Sequence, residues 1–307
     1  MTTHDLTRAV RPRPIRTGGG AALAAWLFNA PALVLLLIFL AVPFGLAIFF
    51  SFTNFRLGSP LPLRFVGVEN YTSLFSDAEF LQAFANNVIF AVVVVPVQCA
   101  LALGLAILVN QKIRGIAFFR ALFFMPVVLG GAVVSTIWFI LMDPSYGLLN
   151  GLLRAATFGQ LHLRWLQDPN TALASIIVIC IWGSVGFQMV ILLAGLQDIP
   201  SDLYEAAQLD GAGTWAQFRS ITLPGLRNTI VFVVTMTTIF AFRLFDQVFV
   251  LTHGGPLGST NTMLLELVKV GYDQQLIGRA CAIAVVFFLA VVAFTLLQRR
   301  VIKEDES

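Results

Sequence analysis

Five stretches of this chain carry no charged residue: between Arg16 and Arg56, Glu79 and Lys112, Arg120 and Asp143, Asp168 and Asp198, and Arg279 and Arg299. Each holds the roughly 20 apolar residues that a helix needs to cross a bilayer. A sixth apolar stretch, from Thr229 to Leu251, is interrupted by Arg243 and Asp246. Hydrocarbon supplies no hydrogen-bond partners, so a spanning backbone must close its own bonds as a helix. The pattern predicts helices near Trp26–Phe52, Asn87–Val109, Ala121–Leu141, Ala172–Leu196, Thr229–Leu251 and Ala280–Gln298. The expected fold is therefore all-α, a polytopic membrane bundle of about six helices. Composition agrees: 11% of residues are charged, against about 25% in a water-facing domain.

A basic N-terminus before an apolar run can also be a secretory signal. The run from Ala21 to Phe55 exceeds the 7–15 residues of a signal's apolar region, so it reads as a span. Orientation follows from the basic residues of the loops. With both ends in the cytoplasm, the inner segments hold twelve Lys and Arg and the outer segments six. The expectation is a multi-pass protein of a cell inner membrane with both termini cytoplasmic. The net charge of +3 then reflects topology and gives no reason to expect nucleic acid. Cys99, Cys180 and Cys281 all fall in predicted spans, where they read as small apolar residues.

Residues 1–20 read as a cytoplasmic tail and 21–307 as the membrane domain. The outer segment containing Glu69-Asn70-Tyr71 predicts a short surface helix. The inner loop 197–228 is the most structured connection. Ser201 can cap a first helix, with Asp202 in its first turn. Gly211 can end that helix in a left-handed conformation. Thr214 and Gln217 have capping-box spacing for a second helix, and Pro224 suits the start of the next span. Such a loop fits docking to another protein, or simply packing against its own bundle.

The same loop carries Glu205-Ala206-Ala207, three residues, Gly211, nine residues, Ile221, one residue, and Leu223-Pro224. This resembles, at every specified position, the EAA motif of permease subunits of binding-protein-dependent ABC importers. Asn70-Tyr71, Gly147-Leu148-Leu149-Asn150, Ala194 to Pro200, Phe245 to Thr252 and Gly254-Gly255-Pro256 extend the likeness over nearly the whole chain. They look like the sugar branch, similar to the maltose and glycerol-3-phosphate permeases.

The resemblance implies a type I importer permease: half of a translocation path for a sugar or sugar derivative delivered by an extracytoplasmic binding protein. It implies a second, related permease and two ATPase subunits, all within membrane lipid. Glu205, Ala206, Ala207, Asp210, Gly211, Ile221, Leu223 and Pro224 would form the seat for the ATPase, with Glu205 pairing a basic group there. Gly211 is equally compatible with an ordinary helix stop. Trp215 and Phe218 fit contact with a partner or with the membrane interface. ATP and Mg would belong to the ATPase and no cofactor to this chain, which lacks a phosphate-cradling Gly-x-x-x-x-Gly-Lys-Ser/Thr loop. Its three His, in separate segments, show no zinc spacing. No enzymatic activity is expected of it.

Likeness to the maltose permease places sugar contacts midway along the fourth and fifth helices. The matching positions are Trp182, Ser184 and Phe187, then Thr237, Phe240, Ala241 and Leu244, with Gln188 a nearby polar candidate. Ala241 and Leu244 stand where the maltose permease has amides, which argues against maltose itself or against any occupied site in this subunit. Trp182 and Phe187 also fit helix packing or lipid contact. Arg243 and Asp246, three residues apart, can meet on one helix face. They fit either a pathway lining or a structural pair reaching toward the outer surface. Three alternatives stay open: a permease for a non-sugar solute such as a phosphorylated polyol, a membrane sensor that signals through the inner loop, and a secondary transporter, for which Arg243 and Asp246 give few of the ionisable sites a proton relay needs.

Overall fold

The computed structural model describes residues 19–111 and 113–301. The basic tail before residue 19, Lys112, Lys303 and both chain ends lie outside the described residues. Among the described residues the fold is helical, with one isolated bridge between Thr53 and Phe65.

The chain divides into two units, the first running to Phe49 and the second from Phe50. Described from Gly19, the first holds α1 (Gly19–Leu36), a π-helical turn (Leu37–Ala41) and most of α2 (Val42–Ser51). Leu27, Phe28, Phe39 and Leu40 are exposed along it, as expected of a helix whose solvent is lipid.

The first helix wholly within the second unit is α3 (Glu69–Phe75), a short helix where one is expected. Asn70 Nδ2 donates to the carbonyls of Ser51 and Thr53 at 2.8 and 2.9 Å, closing the end of α2. The second span, α4 (Ala78–Val109), is longer than the hydropathy pattern predicts, because Asp77 caps it by accepting from the Glu79 N–H. Then come α5 (Ile116–Val128) and α6 (Gly131–Leu141), the short helix α7 (Leu148–Ala156) and the fourth span α8 (Pro169–Gln197). The inner loop holds α9 (Ser201–Leu209), α10 (Thr214–Gln217), a π-turn (Phe218–Thr222) and α11 (Leu223–Gly225). The fifth span is α12 (Arg227–Phe242) with α13 (Asp246–Leu251). After α14 (Met263–Val268), α15 (Ile277–Val301) is the last span.

Two of the predicted spans are broken. The third bends by 96° between α5 and α6. Pro126 lacks an N–H for its own turn, and Gly130 sits at φ +71°, ψ 147°, a conformation that glycine tolerates. The fifth loses its helix over Arg243–Phe245. A break inside a membrane frees carbonyls that must find other donors. Asn87 Nδ2 of α4 donates to the Phe242 carbonyl at 3.2 Å, and Thr262 Oγ1 to the Leu244 carbonyl at 3.0 Å. Asn87 also accepts from the Met263 N–H at 2.7 Å, so one fully buried amide ties α4, α12 and α14 together.

Without a hydrophobic drive between helices in lipid, close packing at small residues holds the bundle. A Cβ on Gly186 of α8 would lie 2.1 Å from the Phe123 carbonyl oxygen of α5, and one on Gly195 2.7 Å from Thr229 of α12. Phe90, Val94, Ile176, Ile179 and Phe242 form the central core; Ala102, Ala106, Met189, Leu192 and Val233 continue it toward the inner loop.

Candidate functional site

Both helix breaks open onto one cavity of about 500 Å³. Pro126, Gly130 and Gly131 come from the first break, and Arg243, Leu244, Asp246 and Gln247 from the second. The two breaks touch: a Cβ on Gly131 would lie 3.0 Å from Gln247 Nε2 and 3.6 Å from Asp246 Oδ2. The remaining wall comes from α4, α8 and α12.

Seven of the eight predicted path residues line this cavity: Ser184, Phe187, Gln188, Thr237, Phe240, Arg243 and Asp246. Ala241 and Leu244 line it too. The rings of Phe187 and Phe240 meet edge to face with centroids 6.3 Å apart. Gln188 Nε2 donates to Thr237 Oγ1 at 3.3 Å, and that hydroxyl donates to the Val233 carbonyl at 2.7 Å. Trp182 lies elsewhere. Its ring packs against Trp138 at 5.5 Å, and the residue is 41% exposed outside the cavity wall.

Arg243 and Asp246 do not share a helix face. Helical spacing would bring them together, but the chain leaves the helix at Arg243 and re-enters it at Asp246. They form no ion pair among the described residues. Both side chains are exposed and border the cavity separately.

The inner loop is a second constellation. The α9 helix starts at Ser201 with Pro200 at the cap, and α10 starts at Thr214 with Gly213 at the cap. The expected Ser201 cap and the Thr214–Gln217 capping box are therefore not formed. Gln217 Nε2 instead donates to the Ala212 carbonyl at 2.9 Å. Gly211 does end α9, at φ +78°. The Ala212 N–H reaches back to the Ala207 carbonyl at 2.8 Å and the Gly211 N–H to that of Gln208 at 3.0 Å. The hydroxyls of Tyr204 and Thr222 meet at 2.9 Å and join the two halves.

This arrangement leaves Glu205, Ala206, Asp210, Gly211, Leu223 and Pro224 exposed, with Ala207 and Ile221 half-buried. The carboxylates of Glu205 and Asp210 make no hydrogen bond or ion pair among the described residues. Beside them, Trp215 stacks on Phe218 at 5.4 Å while 72% exposed. Unpaired charge, bare alanines and an open indole on a hydrogen-bonded frame make a surface suited to a partner.

Residues 17–303 match the family described as binding-protein-dependent transport system inner membrane component. The chain belongs to this family. As a permease subunit it is a transporter component and not an enzyme. It is 38% identical to the probable ABC transporter permease protein YurN of Bacillus subtilis over 284 residues, 92% of this chain and 97% of that protein. It is 34% identical to the diacetylchitobiose uptake system permease protein NgcF of Streptomyces coelicolor, over 95% of this chain and 88% of that one. Identity to the trehalose/maltose transport system permease protein MalF of Thermococcus litoralis is 32%, covering 97% of each. A chain in the crystal structure of a bacterial alginate ABC transporter, with an alginate pentasaccharide-bound periplasmic protein, shares the fold. Its TM-score is 0.79 at 20% identity, over 92% of this permease and 96% of that chain.

Sequence reasoning missed the contribution of α4 to the cavity. Gln98 stands in the middle of that span and lines it, as do Phe90 and Val94. The signal was available: a lone amide deep in an apolar run is costly unless it has a task. It also missed Asn87, whose role depends on a helix break that hydropathy does not show.

Proposed function

We propose that this permease forms half of the membrane path of an ATP-driven importer for a sugar or sugar derivative. The observation that carries the reading is the 500 Å³ cavity at the two helix breaks. Its wall alternates ring faces, Phe187 and Phe240, with hydrogen-bonding side chains, Ser184, Gln188 and Thr237. Sugars present both an apolar C–H face and a belt of hydroxyls, and such a lining complements both. The sugar substrates named for NgcF and MalF support the same class.

An extracytoplasmic binding protein delivers the solute, a second permease completes the path, and two ATPase subunits bind and hydrolyse ATP with Mg. Loop 197–228 seats the ATPase through Glu205, Ala206, Ala207, Asp210, Gly211, Ile221, Leu223 and Pro224. The free Glu205 carboxylate suits a guanidinium there. The chain lies in a cell inner membrane with both termini in the cytoplasm, as the basic residues of its loops indicate.

Ser184→Leu tests the path. Ser184 is half-buried on the cavity wall, so a leucine extends into open space and leaves the packed helix faces alone. Sugar uptake by the reconstituted transporter should fall more than tenfold, with normal recovery of the assembled complex, a loss of about 1.4 kcal/mol or more in the transport step. Uptake at the wild-type rate would place the path elsewhere.

A further inference from the structure

We propose that Gln98 and Gln188 read the hydroxyls of a neutral sugar ring, so that the cavity excludes phosphorylated and other anionic solutes. This rests on the cavity being the solute path. Both amides sit in an uncharged stretch of wall that also holds the hydroxyls of Ser184 and Thr237. Gln98 is 3% exposed and Gln188 2%. Buried amides normally have partners for both ends. These do not.

Gln188 spends its Nε2 on Thr237, while its Oε1 is sealed from water with no donor. Reversing the amide does not cure this. A reversed oxygen could accept from the Thr237 hydroxyl, whose proton rotates, but the amide nitrogen would then be the end left without a partner. Gln98 makes no hydrogen bond with any described residue, and neither of its polar atoms is sealed from the cavity. Together the two amides hold unused donors and acceptors on facing helices, α4 and α8. The terminal amide torsion is soft, so a small rotation turns the Gln188 oxygen toward a ligand. An amide offers a donor beside an acceptor, the pattern that adjacent hydroxyls, each both donor and acceptor, can meet.

Charge selects the class further. Burying an anion requires a paired cation. Arg243 is the only cation on the cavity wall among the described residues, and with Asp246 also on that wall the lining carries no net formal charge. The stretch holding Gln98, Gln188, Thr237 and Ser184 has no charge at all. A phosphate entering there would lose water without gaining a counter-charge, whereas a hydroxyl finds an open amide. This favours a neutral sugar over the phosphorylated polyol left open by the sequence.

The test uses the transporter copurified with its own ATPase and binding protein and reconstituted in vesicles. The probes are labelled trehalose, maltose and diacetylchitobiose, their single-deoxy analogues, and trehalose 6-phosphate. Maximal rates at saturating solute are compared, since half-saturation reports mainly on the binding protein. Gln98→Leu and Gln188→Leu should each lower the rate for the neutral sugar about tenfold, the scale of one lost hydrogen bond to a ligand. The deoxy analogue lacking the hydroxyl that an amide reads should be carried about tenfold slower than its parent by wild type, and almost as fast as its parent by that leucine variant. Gln98→Asn, which keeps a buried amide but retracts it, serves where the leucine variant fails to assemble, and should lose the same discrimination. Unchanged deoxy discrimination in these variants overturns the proposal, as does transport of trehalose 6-phosphate as fast as trehalose. Ser184→Leu separates the levels. If it blocks uptake while the glutamine variants behave as wild type, only the amide assignment falls; if it too is silent, the cavity reading falls with it.

Discussion

Gly211→Ser isolates the geometry of the inner loop from its packing. Gly211 ends α9 at φ +78°, where an L side chain crowds its own backbone at a cost of roughly 1–2 kcal/mol. A Cβ there meets no other atom within 4 Å, so that strain is the whole effect on the isolated loop. Two residues on, Gly213 has φ −70° and equally open surroundings. It caps α10, a position that favours serine. The same substitution thus has opposite expected consequences at two neighbouring, exposed glycines. A strain of 1–2 kcal/mol changes the population of the correctly turned loop by a factor of about 5–30. ATPase copurification and sugar uptake per ATP hydrolysed are the assays. Gly211→Ser should lower one or both at least fivefold, and Gly213→Ser should match wild type. Gly211→Asn should fall between, because asparagine tolerates the left-handed region. If the two serine variants are indistinguishable, the left-handed turn does not govern docking, and Gly211 is an ordinary helix stop.

Three other outcomes follow from named contacts. Gly186→Ala places a methyl 2.1 Å from a backbone oxygen of α5; no side-chain rotation relieves that, so the permease in detergent should lose about 3 kcal/mol and melt at a lower temperature. Asn87→Leu orphans the Phe242 carbonyl and the Met263 N–H, at about 1–3 kcal/mol each; protease protection of the outer loop 252–262 should fall, and unchanged protection would show that the amide does not hold the break. Reporter fusions at Ser307 and within 143–168 should report cytoplasm and exterior respectively, from twelve inner basic residues against six outer; an external Ser307 would reverse the topology and move loop 197–228 away from any cytoplasmic ATPase.

The spans were legible because a membrane leaves the sequence few choices: uncharged length alone places α4, α8 and α15 to within a few residues at their C-terminal ends. Helix starts were less legible. Asp77 extends α4 upstream of Asn87 by capping it, a local bond that hydropathy averaging cannot weigh. The inner loop gave up its turn at Gly211, since only glycine and asparagine suit that backbone readily. It did not give up its caps. Pro200 and Gly213 took the positions expected for Ser201 and Thr214, each with extended backbone ahead of its helix and no side-chain cap bond. For the cavity, the resemblance to the maltose permease grouped most of the lining residues, while the Trp182 indole packs on Trp138 outside the cavity wall.

The breaks explain why the site was only partly readable. Irregular backbone at membrane depth survives where it is buried in protein or borders a water-filled space, so a break and a cavity come as a pair. One half of each pair is local: Pro126, Gly130 and Gly131 announce a bend in the third span. The other half is remote. Nothing near Arg243 says that the helix ends there; the stabilising groups are Asn87, 155 residues before the Phe242 carbonyl it serves, and Thr262, 18 residues after the Leu244 carbonyl it serves. Reading Arg243 and Asp246 as an i, i+3 pair assumed a continuous helix that Asn87 and Thr262 make unnecessary. The result is a cavity wall with two separated charges instead of one neutralised pair, on the same wall as Gln98 and Gln188. The chemistry of the wall is therefore set as much by where the fifth helix stops as by which residues it contains.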